Sequence, residues 1–446
     1  MTETQVPTLP ADARRSLLIY NALFPFVFLA LLPGLLLRMM RRGNFRAKFG
    51  QRFGVYSVAD RKRFAEGEWL WLHSISVGET FLAMKLAREI HALAPAQRIA
   101  LSVTTSTGFA VAQPHAGDWL EVIYNPLDAP WIVRRALGLV RPTRLLFIEA
   151  VWPNLLAGVS RRGIPVAFVP RLSPRSEARF RRFRALTGPL FRMVDLMAAP
   201  EPEDIARWTS LGVREDRIQI TGNPKFDYSA GDGNRVAEFR AFLQQCGVPD
   251  EAPILLAGST FAGEERIVAE VFRELRAEFP DLFLILVPRH VERTDAVLAE
   301  LRPLGVRLAR RTAAPESGAD ALIVDTTGEL RDWYSLATVV FIGKSLTSKG
   351  GQNPVEAVMA GKPVVFGPHM ENFQPIVSRW LAADAAIEVP DASELRKQVA
   401  LLLKDGDRRA ELSDRARKIA SMHEGATLRT ARAVMGIADC GLRIGD

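Results

Sequence analysis

Phe341 to His369 reads FIGKSLTSKGGQNPVEAVMAGKPVVFGPH. An apolar run, Val339 to Ile342, predicts a strand that empties into a glycine-rich loop. A helix is predicted to begin near Asn353, and Lys362-Pro363 leads into a second apolar strand. This is a β-loop-α-β unit whose loop stands at the carboxyl end of a parallel strand, where open α/β sheets bind ligands. Gly350 and Gly351 are expected to let the backbone approach a bulky anion. Asn353 and Pro354 suit a helix N-cap and first turn, with N–H groups left to aim at that anion. Glu356, one turn in, is placed to accept two hydrogen bonds from a vicinal diol such as a ribose. The plain alternative is a tight turn followed by a surface glutamate.

The rest of the chain has the material to surround such a unit. Its 446 residues suggest two domains, and 48% hydrophobic against 24% charged residues suits folded cores. Lys and Arg number 58 against 50 Asp and Glu, a formal charge of +8 that hints at an anionic partner. RFRRFR, Arg179 to Arg184, interleaves Phe with Arg, but no nucleic-acid module surrounds it, so a phosphate or anionic lipid face is favoured over nucleic acid. Cys246 and Cys440 lie far apart with no second thiol near either, which fits a reducing compartment without disulfides. No stretch specifies an oligomeric state.

Near the N-terminus, Leu17 to Leu37 (LLIYNALFPFVFLALLPGLLL) carries no charge. It is long enough for one membrane helix, with Asn21, Pro25 and Pro33 as weak points that suit an oblique or monotopic placement. A cleaved signal peptide fits less well, because no small-x-small site follows. Arg38, Arg41, Arg42, Arg46, Lys48 and Arg52 follow the run, against Arg14 and Arg15 before it. That asymmetry puts everything after residue 38 on the cytoplasmic side of the membrane. Residues 1–44 are therefore expected to form a tail and membrane anchor.

Residues 45–228 are expected to form one Rossmann-like domain. Trp69 to Ser76 (WLWLHSIS) reads as a buried strand that breaks at Val77-Gly78-Glu79, after which Phe81, Leu82, Leu86 and Ile90 mark a helix. Further strands are read at Arg98 to Thr105, Leu120 to Tyr124, Arg144 to Ile148, Val166 to Pro170 and Leu196 to Ala199. Strands alternating with helices at this spacing make a parallel doubly wound sheet. Glu79 then stands at a strand-to-helix turn on the ligand-binding rim. It suits either a carboxylate that satisfies the helix dipole or a general base ionised at neutral pH. Seven arginines crowd Arg171 to Arg192 with only Glu177 opposing them. Arg171 and Arg175 are candidates for a phosphorylated lipid or the membrane surface, against a solvated helix face.

Ser229 to Arg235 reads as a linker, and residues 229–446 as a second Rossmann-like domain. Strands at Ile254 to Ala257, Leu282 to Val287 and Leu322 to Val324 end in Gly258-Ser259-Thr260, Pro288-Arg289-His290 and Asp325 to Leu330. The fold class is α/β, two Rossmann-like domains whose rims face a cleft, as in the GT-B glycosyltransferases. The tail is helical. The six histidines show no HExxH or HxH spacing. No GxSxG elbow is present, and Gly343-Lys344-Ser345 lacks the earlier glycine of a P-loop.

Taken in order, RRGNFRAKFGQRFG, WLHSISVGE, VTTSTG, WPN, RLSPRS, TGNPKFD, AGST, VPRH, DTTGEL and GGQNPVEAVMAGKPVVFGPHMENF form a series that resembles one family. These are the 3-deoxy-D-manno-octulosonic acid (Kdo) transferases of Gram-negative bacteria, which move Kdo from CMP-Kdo to the lipid A precursor. The resemblance runs from the anchor to about residue 405. It implies a GT-B fold, no metal or other cofactor, inversion at the anomeric centre, and two partners, a CMP-Kdo donor and a phosphorylated lipid A precursor (lipid IVA). It also implies that Glu79 is the general base and that Lys225 stabilises charge in the transition state. Pro288 and Arg289, then Thr327, Gly328 and Glu329, then Asn353, Pro354, Val355 and Glu356 match the family's CMP-binding segments.

The departures are local. Ala150 stands where the family has an acid two residues before Trp-Pro-Asn, and Glu149 is displaced by one. In extended backbone that shift would turn the carboxylate to the opposite face, unless a bulge restores it. Phe261 replaces a histidine, Val169-Pro170 replaces Asn-Ala, and Lys344 replaces a glycine of the nucleotide loop. The alternatives are a transferase with another lipid or sugar acceptor or another CMP-sugar, and a paralogue that binds nucleotide-sugar or lipid without turnover.

Overall fold

In the computed structural model, residues 8–42, 48–227 and 235–437 are described. Residues 229–234 of the predicted linker and Arg46 of the basic cluster lie outside them, as do the side chains of Arg38, Arg41 and Arg42. The chain divides into two compact units, residues 1–227 with 425–446, and residues 228–424.

The first unit is built on seven parallel strands: β1 Trp69–Ser74, β2 Arg98–Val103, β3 Leu120–Tyr124, β4 Pro142–Ile148, β5 Val166–Val169, β6 Leu196–Ala199 and β7 Ile218–Ile220. Their order is β3-β2-β1-β4-β5-β6-β7. Strands buried on both faces read as continuous apolar runs rather than alternating ones. In β1 the period of two still sorts the side chains: Trp69 and Trp71 enter one apolar cluster, Leu70 and Leu72 the other. The order reverses between β1 and β4, which makes the carboxyl ends of those two strands the topological switch point.

The second unit has its own seven parallel strands: β8 Ile254–Thr260, β9 Phe283–Pro288, β10 Leu308–Arg310, β11 Ala321–Ile323, β12 Val339–Ile342, β13 Val364–Phe366 and β14 Ile387–Glu388. The order is β10-β11-β9-β8-β12-β13-β14, with the switch point between β8 and β12. The edge strands β7, β10 and β14 were not legible in the sequence; at two or three residues each they are too short for a periodic signal.

One domain boundary needs correction. The expected second domain ran to residue 446, but from Gly425 the chain belongs to the first unit. The helix Ala426–Gly436 buries Ala431 and Val434 among Leu82, Leu86 and Ile90 of the helix Val77–Leu93. Asp227, the last residue of TGNPKFD, caps the returning helix by accepting the N–H groups of Gly425 and Thr427, both at 2.7 Å. Arg429 adds a hydrogen bond to the Thr221 carbonyl at 2.9 Å.

The apolar N-terminal run lies in a helix, Ala11–Arg42, that contains Pro25 and Pro33. Among the described residues no helix is long and apolar enough to cross a membrane, so a spanning anchor is not shown. One side of the helix packs on the first unit, where Leu9 and Leu17 meet Ala157, Leu190 and Met193. Asn21, an apparent weak point in a membrane helix, exchanges amide hydrogen bonds with Asn154 of Trp-Pro-Asn at 2.7 and 3.1 Å. The other side leaves Leu18 70% and Phe26 73% exposed, with Leu23 and Val27 also exposed.

Candidate functional site

In the first unit Glu79 belongs to the first turn of the helix Val77–Leu93, capped by Ser76, whose hydroxyl accepts the Glu79 N–H at 3.2 Å. Its carboxylate accepts the Ile75 N–H at 2.6 Å and is 8% exposed. The carboxylate thus satisfies a local donor, and the residue stands at the β1 end of the switch point. Burial pushes its pKa up, the Ile75 hydrogen bond pulls it back, and the charge of Glu149 pushes it up again.

Glu149 is the carboxylate beside Ala150. It follows β4, the strand beside β1, and its backbone is left-handed (φ 58°). The Ala150 N–H donates back to the Ile148 carbonyl at 2.7 Å, and the Glu149 N–H donates to Val169 at 2.9 Å. The chain is thus tightly turned at this point, not extended, so the opposite-face inference from a one-residue shift does not apply. Glu149 lies 3.7 Å from Arg171 across an ion pair. Lys225 follows a turn in which its N–H donates to Asn223 Oδ1 at 3.0 Å. Burial lowers the Lys225 pKa, while Glu149 and Glu79 favour its charged form and Arg171 opposes it. Glu79, Glu149, Arg171 and Lys225 are therefore one electrostatic cluster. Arg175 is exposed on the helix Pro174–Arg182 and takes no part in it.

The second unit places its predicted residues at the carboxyl ends of its strands. Pro288 closes β9, and the Arg289 N–H donates to the Thr260 carbonyl at 3.0 Å, leaving the guanidinium exposed. Thr327 and Gly328 are exposed in the loop after β11. Glu329 is buried beside them, and its carboxylate accepts Arg235 at 2.8 Å, Arg311 at 3.2 Å and the Trp333 indole at 3.3 Å. That side chain braces the loop. A direct nucleotide contact by its carboxylate would have to displace those donors.

The opening stretch is organised differently from the expectation in two respects. The helix after Asn353 is only Val355–Met359, five residues, and Asn353 Oδ1 accepts the Val355 N–H at 3.1 Å. Asn353 also donates to Glu356 Oε1 at 2.9 Å. The helix start is thus an Asx turn with part of its donor set satisfied, not an open anion site. Gly350 (φ 116°) and Gly351 (φ 68°) are required for a second reason besides backbone conformation. A Cβ on Gly351 would lie 2.5 Å from Met370 Sδ, and one on Gly350 2.8 Å from Asn372 Nδ2. The segment His369 to Asn372 occupies the space opened by these glycines, and Gly350 N–H donates to Glu371 at 2.6 Å.

The anion that this loop does hold is internal. Glu264, fully buried, accepts four backbone N–H groups: Phe261 at 2.9 Å, Lys344 at 2.6 Å, Ser345 at 2.8 Å and Leu346 at 3.0 Å. Glu264 joins the loop after β8 to the loop after β12, across the switch point. Its neighbour Glu265 is also fully buried and holds Arg293 at 2.8 and 3.2 Å and Thr260 at 3.0 Å. Neither glutamate stood out in the sequence, where Glu-Glu after Gly-Ser-Thr reads as an ordinary acidic first turn. Phe261 and Lys344, two of the departures from the family pattern, touch: the Lys344 ammonium lies 5.0 Å from the Phe261 ring centroid.

Two seven-stranded parallel sheets, each with a polar rim at its switch point, make the GT-B fold. The same fold occurs in MurG from Acinetobacter baumannii, with 13% identity and a TM-score of 0.54 over 83% of this chain and 99% of that one. It also occurs in Anabaena Alr3699/HepE in complex with UDP, with 15% identity and a TM-score of 0.52 over 84% of this chain and all of that one. The family described as 3-deoxy-D-manno-octulosonic-acid transferase (kdotransferase) matches residues 47–228. The 3-deoxy-D-manno-octulosonic acid transferase of Bordetella pertussis is 34% identical over 381 residues, 82% of this chain and 86% of that protein. That of Haemophilus influenzae is 30% identical over 393 residues, 86% and 90% of the two chains. The chain belongs to the 3-deoxy-D-manno-octulosonic acid transferase family; it is a glycosyltransferase.

Proposed function

We propose that this enzyme transfers Kdo from CMP-Kdo to a phosphorylated lipid A precursor, lipid IVA, with inversion and without a metal. Glu79 takes the proton of the attacking sugar hydroxyl as the new C–O bond forms. The bond from the anomeric carbon to the phosphate of CMP breaks, and CMP leaves with its electron pair. Lys225 supports the charge that develops. The observation that carries this reading is the cluster of Glu79, Glu149, Arg171 and Lys225 at the first switch point, in a chain of this family. The CMP contacts are assigned to Pro288, Arg289, Thr327 and Gly328 and to the loop ending at Glu356. For Glu329 and Glu356 the assignment is of the backbone and loop as much as of the carboxylate.

The acceptor assignment draws on Arg171, whose charge is only partly balanced by Glu149, and on Arg175. The exposed apolar side of Ala11–Arg42 supports a monotopic seat on the cytoplasmic face of the inner membrane, with the catalytic units on that side. Incubation of the purified protein with CMP-Kdo and lipid IVA tests the whole, with mass spectrometry of the lipid. A Kdo adduct is expected. CMP release without an adduct points to another acceptor, and CMP binding without release points to a non-catalytic paralogue.

The pH profile adds a sharper test. The base must be ionised, so transfer is lost as pH falls through the Glu79 pKa, which burial and Glu149 hold above its ordinary value. Glu149→Gln removes the charge that raises it, so the acid limb of kcat/KM is expected to move to lower pH. The same change takes from Lys225 a charge that favours its protonated form, so any alkaline limb set by Lys225 moves down as well. An acid limb that stays in place in this variant removes Glu149 from the site.

A further inference from the structure

Lys344 lies two residues beyond the end of β12 and has a left-handed backbone (φ 57°). A side chain in that conformation is strained and persists only where its surroundings over-determine it. Here they do. Its N–H is held by Glu264 at 2.6 Å, its carbonyl accepts the Gly351 N–H at 3.0 Å, and the next two N–H groups are also bound to Glu264. The loop therefore fixes the direction in which the lysine leaves the backbone, at the switch point of the second sheet.

Its ammonium rests over the Phe261 ring, 5.0 Å from the centroid, and Phe261 meets the edge of His290 at 5.6 Å between centroids. It also lies beside Gly350, where an added Cβ would be 3.5 Å from Lys344 Nζ and 2.8 Å from Asn372 Nδ2. Among the described residues no carboxylate pairs with it. The acids around it are engaged elsewhere: Glu264 by four N–H groups, Glu265 by Arg293 and Thr260, and Glu371 by Gly350 and His369. The result is a half-buried cation, propped on an aromatic face near the Asn372 amide, with no carboxylate paired to it among the described residues.

We propose that Lys344 contacts the donor, its ammonium receiving an anionic group of the nucleotide sugar, either the phosphate or the sugar carboxylate. This rests on the CMP-Kdo reading above. The test is steady-state kinetics of Lys344→Gly, Lys344→Met and Lys344→Arg in the full-length enzyme, with CMP as competitive inhibitor. Glycine adopts positive φ without strain, so Lys344→Gly is expected to melt no lower than the wild type. The Gly and Met variants are expected to raise KM for CMP-Kdo about tenfold or more, with kcat much less affected, and Lys344→Arg to recover part of the loss. A parallel rise in the CMP inhibition constant assigns the phosphate; an unchanged one assigns the carboxylate. Either supports the contact. If both the Gly and Met variants keep KM within about twofold, the contact is overturned. A wild type inactive on CMP-Kdo overturns the functional reading as well, whereas active wild type with indifferent variants removes only Lys344.

Discussion

Glu79→Gln is expected to lower Kdo transfer by about 10²–10⁴-fold, the usual worth of a positioned general base, while leaving CMP affinity nearly unchanged. The substitution keeps the shape of the side chain and one oxygen that can accept the Ile75 N–H. What it removes is the ability to take a proton. Burial raises the pKa of Glu79, so the charged form carries a desolvation cost in the folded protein. A neutral amide avoids that cost, and the variant is expected to melt at least as high as the wild type. Loss of turnover with intact melting and intact CMP binding by calorimetry therefore isolates chemistry from folding. Turnover within about fivefold of wild type would sink the base assignment.

Glu264→Ala is expected to have the second large effect, on stability and on donor binding together. The substitution orphans the N–H groups of Phe261, Lys344, Ser345 and Leu346, which surround a fully buried carboxylate. A buried donor left unsatisfied costs about 1–3 kcal/mol, and relaxation with water entry offsets part of four such losses. A destabilisation of about 3 kcal/mol or more of the second unit is expected in denaturant unfolding. Hydrogen exchange gives the local readout, because the amides of Lys344 to Leu346 are expected to lose protection before the rest of the sheet. Glu264→Gln keeps the volume but presents an amide –NH₂ to N–H donors, so it is expected to rescue only part of the effect. Wild-type protection of those three amides in Glu264→Ala would show that the carboxylate does not hold the loop.

The parts of this protein that sequence made legible are those with local causes. Strand and helix alternation came from apolar runs of four to seven residues, such as Trp69 to Leu72, where tryptophan and leucine alternate, because both faces of a parallel sheet are covered. The rim position of Glu79 followed from one strand-to-helix turn. The ordered motifs pointed to the family, and the relatives agree. Glycines at 350 and 351 predict backbone room for an anion. Their room is occupied by His369 to Asn372, a segment whose approach depends on β13 pairing with β12.

By itself, then, the sequence determined the fold class, the family and the strand ends at which polar residues collect. Those depend on hydrophobic period and on residues adjacent in the chain. Long-range packing is what puts Glu264 in the nest after β12, makes Asp227 the cap of a helix about two hundred residues later, and lets a left-handed turn at Glu149 join it electrostatically to Glu79 and Lys225. Each of these is a contact between residues distant in sequence, set by strand order and by one backbone dihedral angle, and neither quantity leaves a periodic trace in the order of amino acids.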